Sequence, residues 1–188
     1  MRTAVALLSS LGLALLAGCG DAHDHQASAT DAAAGAWAGV ERAVCVLTAT
    51  DGNAAHGTVT FTKTGDGVKV VAEVSGLNPN QAHAIHIHEY GDLRSADGSA
   101  AAGHYNPEGH EHGLPDVEKR HAGDFGNLQA DADGNARLEL TATNITIAGP
   151  TNPIVGRGMI VHAGPDDGGQ PVGNAGARIA QGVIGVAK

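Results

Sequence analysis

Ala84-Ile85-His86-Ile87-His88-Glu89 is the stretch that decides how this chain folds. An apolar residue and an imidazole alternate with a period of two, the signature of a β-strand. Ile85 and Ile87 then share one face, and His86 and His88 share the other. The reading packs the isoleucines inward and presents both imidazoles outward.

The same rhythm extends in both directions. Short apolar or alternating runs at 43–47, 57–63 and 68–74 precede the strand at 84–89, and runs at 126–130, 136–142, 157–162 and 177–186 follow it. Between the early runs lie Asp51-Gly52-Asn53, Thr64-Gly65-Asp66-Gly67 and Gly76-Leu77-Asn78-Pro79, which are turn chemistry. Asp131-Ala132-Asp133-Gly134-Asn135 lacks the glutamate that ends a calcium loop and reads as a plain turn. About eight short strands with hairpin punctuation predict an all-β antiparallel sandwich or barrel. Residues 90–123 form an irregular segment rich in Gly, Asp and Pro, and a loop of that length in a compact domain is usually functional.

Composition agrees. The 188 residues suit one domain with a short appendage, and with only 3% aromatics the core must come from Val, Ile, Leu and Ala. A formal charge of −9 argues against a nucleic-acid partner, and an anionic substrate would need a local positive field to draw it in.

Residues 1–19 read as a secretion signal: Arg2 supplies the charge, an apolar run follows, and Leu16-Ala17-Gly18-Cys19 closes it. The ending resembles a bacterial lipoprotein box. That resemblance implies lipidation at Cys19, a membrane anchor and a place on the periplasmic side of a bacterial cell envelope. Residues 20–36 read as a flexible linker in which His23 and His25 are solvated, and 37–188 as the folded domain. Cys45, in Ala-Val-Cys-Val-Leu, reads as a small buried hydrophobe.

Eleven histidines against two cysteines point to imidazole rather than thiolate as metal ligand, which suits zinc and copper. The candidates are His86, His88, His104, His112, His121, Asp124 and His162. A strand His-x-His, a loop bearing several ligands and a histidine at a distant strand end can converge on one face of a barrel. His56, His83 and His110 read as surface or turn residues. Lys119 and Arg120 read equally well as steering cations or as a solvated pair.

Four segments carry a specific resemblance: His86-Ile87-His88-Glu89-Tyr90-Gly91-Asp92, Gly103-His104-Tyr105-Asn106-Pro107, His121-Ala122-Gly123-Asp124 and Gly173-Asn174-Ala175-Gly176-Ala177-Arg178. From residue 42 to the C-terminus the chain resembles copper/zinc superoxide dismutase. The resemblance implies a Greek-key β-sandwich or flattened barrel with a long metal-binding loop, acting on superoxide. It implies copper on His86, His88, His104 and His162, and zinc on His104, His112, His121 and Asp124, so that His104 bridges the metals. It also implies that Asp166 links the two sites through His86 and His112, and that Arg178 docks the superoxide anion. His104 and Arg178 would then be the catalytic pair.

The chain departs from that pattern in its bracing. The family ties the metal loop to the last strand with a disulfide, and the resemblance puts Leu93 and Gln181 at the two cysteine positions. Leu93 is expected to add apolar packing and Gln181 to hydrogen-bond loop backbone. Losing such a bridge typically costs about 2–5 kcal/mol, so the metals should carry more of the loop's order. The loop at 163–171 is also short, and Val172 stands where a hydroxyl residue often borders the channel. Two other readings stay open: a periplasmic copper- or zinc-binding module for storage or delivery, and a purely structural sandwich. A homodimer is compatible with the sequence.

Overall fold

The computed structural model describes residues 37 and 39–188. The expected secretion signal at 1–19, the expected lipidation at Cys19 and the expected linker at 20–36 lie outside the described residues. Eight strands follow in chain order: β1 (Arg42–Ala49), β2 (His56–Thr64), β3 (Gly67–Ser75), β4 (Ala82–His88), β5 (Asp124–Gln129), β6 (Ala136–Ala142), β7 (Gly158–His162) and β8 (Arg178–Val186). Each overlaps an expected run. Two starts matter: β4 begins at Ala82 and takes in His83, and β5 begins at Asp124 itself.

The spatial order is β5-β4-β7-β8-β1-β2-β3-β6, antiparallel throughout. β5 and β6 are the edges of this sheet, and they lie against each other, so the sheet curls into a nearly closed barrel. Closure leaves little open edge, which is how antiparallel sheets avoid unwanted pairing. Hairpins join β1 to β2 and β2 to β3 with regular register. The turn at 131–135 is plain, with the Asp131 carboxylate accepting from the N–H of Asp133 and Asn135.

Alternation places the core. On β1, Ala43, Cys45 and Leu47 are buried while Arg42 and Val46 are exposed; on β3, Val68, Val70, Ala72 and Val74 face inward. Phe61 and Phe125 meet in the interior with ring centroids 6.5 Å apart, among Ile85, Ile87, Leu128, Met159 and Ile184. Burial of such side chains is worth roughly 1.5–3 kcal/mol each. Cys45, the one cysteine among the described residues, is free and buried, and burial pushes its thiol up to about 12.

β4 departs from the simple two-faced expectation. All its residues from His83 to His88 are buried, imidazoles as well as isoleucines. The isoleucines do pack into the core, but the imidazole face is covered by the chain between β4 and β5. That chain folds back to make an isolated bridge between His88 and His104. Alternation reports which face a residue lies on and not what lies over it.

Candidate metal centre

Two four-residue clusters assemble over the β4–β7 side of the barrel, one of His86, His88, His104 and His162, the other of His104, His112, His121 and Asp124. In each, one ligand atom per residue lies within 4.8 Å of all the others. β4 supplies His86 and His88, the end of β7 supplies His162, the long loop supplies His104, His112 and His121, and the first residue of β5 is Asp124. His104 belongs to both clusters, and its side chain is only 3% exposed. Its Nδ1 lies 2.9 Å from Asp124 Oδ1 and 3.4 Å from His121 Nδ1, which leaves Nε2 for the other cluster.

Hydrogen bonds on the far side of each ring set which nitrogen is free. His88 Nδ1 donates to the Ala102 carbonyl at 2.9 Å, and His162 Nδ1 donates to the Gly176 carbonyl at 3.1 Å. Both therefore turn an unprotonated Nε2 inward, and those two atoms face each other at 3.4 Å. His86 and His112 each donate Nε2–H to Asp166, at 2.9 Å to Oδ2 and 2.9 Å to Oδ1 respectively. Their Nδ1 atoms are buried without a hydrogen-bond partner. Each ring is thus held in one tautomer by an outer partner, as in built metal sites.

This arrangement fits cations. Facing lone pairs repel, and buried nitrogens without partners are costly, unless a positive centre sits among them. Tetrahedral coordination with bonds of about 2.0–2.1 Å sets neighbouring nitrogens about 3.3–3.4 Å apart, the separation seen here. The set of six histidines and one carboxylate suits copper and zinc.

Electrostatics agree. Burial, reinforced by the neighbouring ring His86, pushes His162 down to about 3. Burial likewise pushes His104 down to about 4, against the opposing pull of Asp124, and holds His88 well below the usual imidazole range. These three rings are therefore neutral, with lone pairs available, at physiological pH. Burial alone would raise Asp166, but hydrogen bonds from His86 and His112 outweigh it and bring the carboxyl to about 2. Asp124 is held far below the carboxylate range in the same way, its burial outweighed by His104, His121 and the Gly113 N–H.

Asp166 sits in the loop between β7 and β8 and is itself fixed. The Asn127 side chain accepts from the Asp166 N–H at 2.7 Å and donates to its carbonyl at 2.9 Å. Gly173 crosses beside it with φ +75°, and a Cβ there would overlap Asp166 Oδ1 and come 2.8 Å from His112 Nε2. Only glycine fits that approach.

Arg178, the first residue of β8, is half-buried beside the first cluster. Its Nη1 donates to Gly98 O and its Nη2 to Ala102 O, each at 2.5 Å, and Thr50 Oγ1 donates to its carbonyl at 2.7 Å. It borders a polar cleft together with Thr50, Asp51, Asn53, Asp97 and Ser99. Burial lowers its pKa, yet a guanidinium stays charged throughout the working pH range.

Three residues behave differently from expectation, and a fourth, Gln181, follows it. His83, read as a surface or turn residue, is fully buried and donates Nδ1–H to the carbonyl of His162, 2.9 Å away. It shares strand parity with Ile85 and Ile87, a signal available in the sequence once the strand is extended to Ala82. Arg120 is not solvated: it is 8% exposed and donates to the carbonyls of Asp124 and Val117. Leu93 does not pack; within the turn that the Asp92 carboxylate makes with Arg94, it is left 40% exposed. Gln181 does bond loop backbone, donating Nε2–H to Ser95 O at 3.1 Å. Asp51 N–H adds a bond to Ala96 O at 2.9 Å, so the loop's brace is non-covalent and lies at Ser95–Ala96.

The model of the family described as copper/zinc superoxide dismutase matches residues 55–184, well over half of the chain. A solved structure described as the crystal structure of the clock protein EA4 is also similar. It shares 37% identity and a TM-score of 0.71, covering 78% of this chain and 95% of that one.

Proposed function

Because the chain belongs to the copper/zinc superoxide dismutase family, we propose that it converts superoxide to dioxygen and hydrogen peroxide. His86, His88, His104 and His162 would hold copper, and His104, His112, His121 and Asp124 would hold zinc. Bound copper supplies a one-electron redox couple and bound zinc a fixed, redox-inert charge. The observation that carries the reading is the sharing of His104 by both clusters, with Arg178 tied down beside His88.

The chain's own groups have distinct tasks. Arg178 presents a fixed positive charge beside His88 in a protein of net charge −9, and so selects and orients a small anion. Its two carbonyl anchors hold the guanidinium in one pose, which lowers the cost of ordering it when the anion arrives. His104 faces Asp124 with Nδ1, so its Nε2 can hold a proton in one half of the cycle and give it up towards peroxide in the other. Asp166 keeps the rings of His86 and His112 oriented and their outer nitrogens protonated.

The test is superoxide dismutation by protein loaded with both metals, beside Arg178→Ala. The variant is expected to keep its metals while losing about tenfold or more of kcat/KM, and most of its dependence on ionic strength. Full activity in the variant would remove Arg178 from its role. Tight metal binding without turnover in the unaltered chain would instead favour storage or delivery.

We further propose that the chain is an exported lipoprotein, anchored through Cys19 to a bacterial envelope membrane on its periplasmic side. The motif Leu16-Ala17-Gly18-Cys19 after an apolar run supports it. Incorporation of labelled fatty acid that persists in Cys19→Ser would disprove it.

A further inference from the structure

We propose that Gln170 is a positioning residue for the zinc-side ligand His112. The inference rests on the reading that the second cluster holds zinc. His112 lies in the irregular loop between β4 and β5, outside every strand. Its main-chain groups bond to a side chain instead of to other backbone. Its N–H donates to Gln170 Oε1 at 3.1 Å, and its carbonyl accepts from Gln170 Nε2 at 2.8 Å. This reciprocal pair closes a ring of the kind two antiparallel strands make and fixes the peptide groups on both sides of His112.

The same loop also holds the imidazole. Asp166, four residues before Gln170, accepts from His112 Nε2, and the Gly168 N–H steadies that carboxylate from 2.9 Å. His112 Nδ1 is thereby left facing Asp124 Oδ2 at 3.0 Å, with no hydrogen-bond partner of its own. Asp166 fixes the ring's tilt, and Asp124 Oδ2 holds the following Gly113 N–H at 3.1 Å, but neither reaches the His112 N–H or carbonyl. Gln170 holds both of those groups, so these contacts together define where Nδ1 points. The amide can reach only because the β7–β8 connection folds tightly, with Gly173 N–H donating to Gly169 O and Asp167 N–H to Gly173 O.

The test is a zinc competition titration of the full chain, wild type against Gln170→Met, which keeps the length and removes both bonds. Asp167→Ala is the control, because it loosens the same loop at Gly169 and Asn174 without touching His112. Gln170→Met is expected to bind zinc about tenfold more weakly than either wild type or the control. Cobalt(II) placed in the zinc site should show altered d–d bands in that variant alone, while copper affinity falls by far less than zinc affinity. Unchanged zinc affinity and unchanged cobalt bands would overturn the proposal. An equal loss in Asp167→Ala, or a parallel loss of copper affinity, would also overturn it by reducing Gln170 to general loop stability. Failure of the wild-type chain to bind zinc would sink the metal-site reading itself, and the proposal with it.

Discussion

His88 and Arg178 are tied to one oxygen: the Ala102 carbonyl accepts from His88 Nδ1 at 2.9 Å and from Arg178 Nη2 at 2.5 Å. The His88 ring and the Arg178 guanidinium therefore share a reference point, and neither can shift without disturbing the other's anchor. Ala102 is held at φ 61° and ψ −142°, a conformation that a residue with a Cβ rarely adopts.

That strain predicts a stabilising substitution. Backbone strain of this kind costs about 1–3 kcal/mol, and glycine's extra unfolded-state entropy about 0.5–1 kcal/mol. Ala102→Gly should therefore raise the melting temperature of the metal-free protein by about 3 °C. Scanning calorimetry of the two proteins decides the sign, and a lower melting point in the variant would contradict the strain argument.

Gly173→Ala should cost far more than its backbone conformation alone. The added methyl would collide with the Asp166 carboxylate and crowd the His112 ring. Zinc affinity should fall about tenfold or more. Gly109→Ala is the comparison, since Gly109 has φ +69° and open space around it. Similar zinc titrations for both variants would show that the contact with Asp166 carries no weight.

Removing the metals should lower the melting temperature by at least about 10 °C. The loop carrying His104, His112 and His121 has no covalent tie to β8. The Gln181–Ser95 bond that stands in its place is worth only about 1 kcal/mol. Equal melting of loaded and chelator-treated protein would mean that the loop is held by contacts other than these.

In the metal-free protein, stability should fall as pH drops below about 6.5. His162 and His104 titrate near 3 and 4 when folded but near 6.5 when unfolded, so the unfolded chain binds more protons across that interval. Their contribution is complete above pH 6.5 and is lost progressively towards about pH 4 for His104 and about pH 3 for His162. Urea midpoints at pH 8, 6 and 5 should decline in that order, and a flat series would argue against neutral buried rings.

The strand pattern was legible because alternation and turn residues are local properties, written into each segment. The ligand set was legible because no ordinary packing requirement spaces six histidines and an aspartate in this way. What escaped reading depends on contacts between distant segments. Nothing near Gln170 announces that its amide will meet the backbone of His112, 58 residues earlier. Nothing in the sequence around Ala102 marks a positive φ. Leu93 shows that apolar character alone does not mean burial, because its neighbours Asp92 and Arg94 pair with each other and hold that turn at the surface. The burial of His83, by contrast, is legible in the sequence, since its parity with Ile85 places it inside.

The Asp166 carboxylate has a consequence for metal fidelity. With one oxygen on His86 and the other on His112, it works as a rigid lever pivoted by Asn127. An ion of the wrong size or preferred geometry in either pocket would twist its own ring and, through the lever, detune the neighbouring pocket. Misloading would then be penalised twice, once at the site that holds the wrong ion and once at the site that does not.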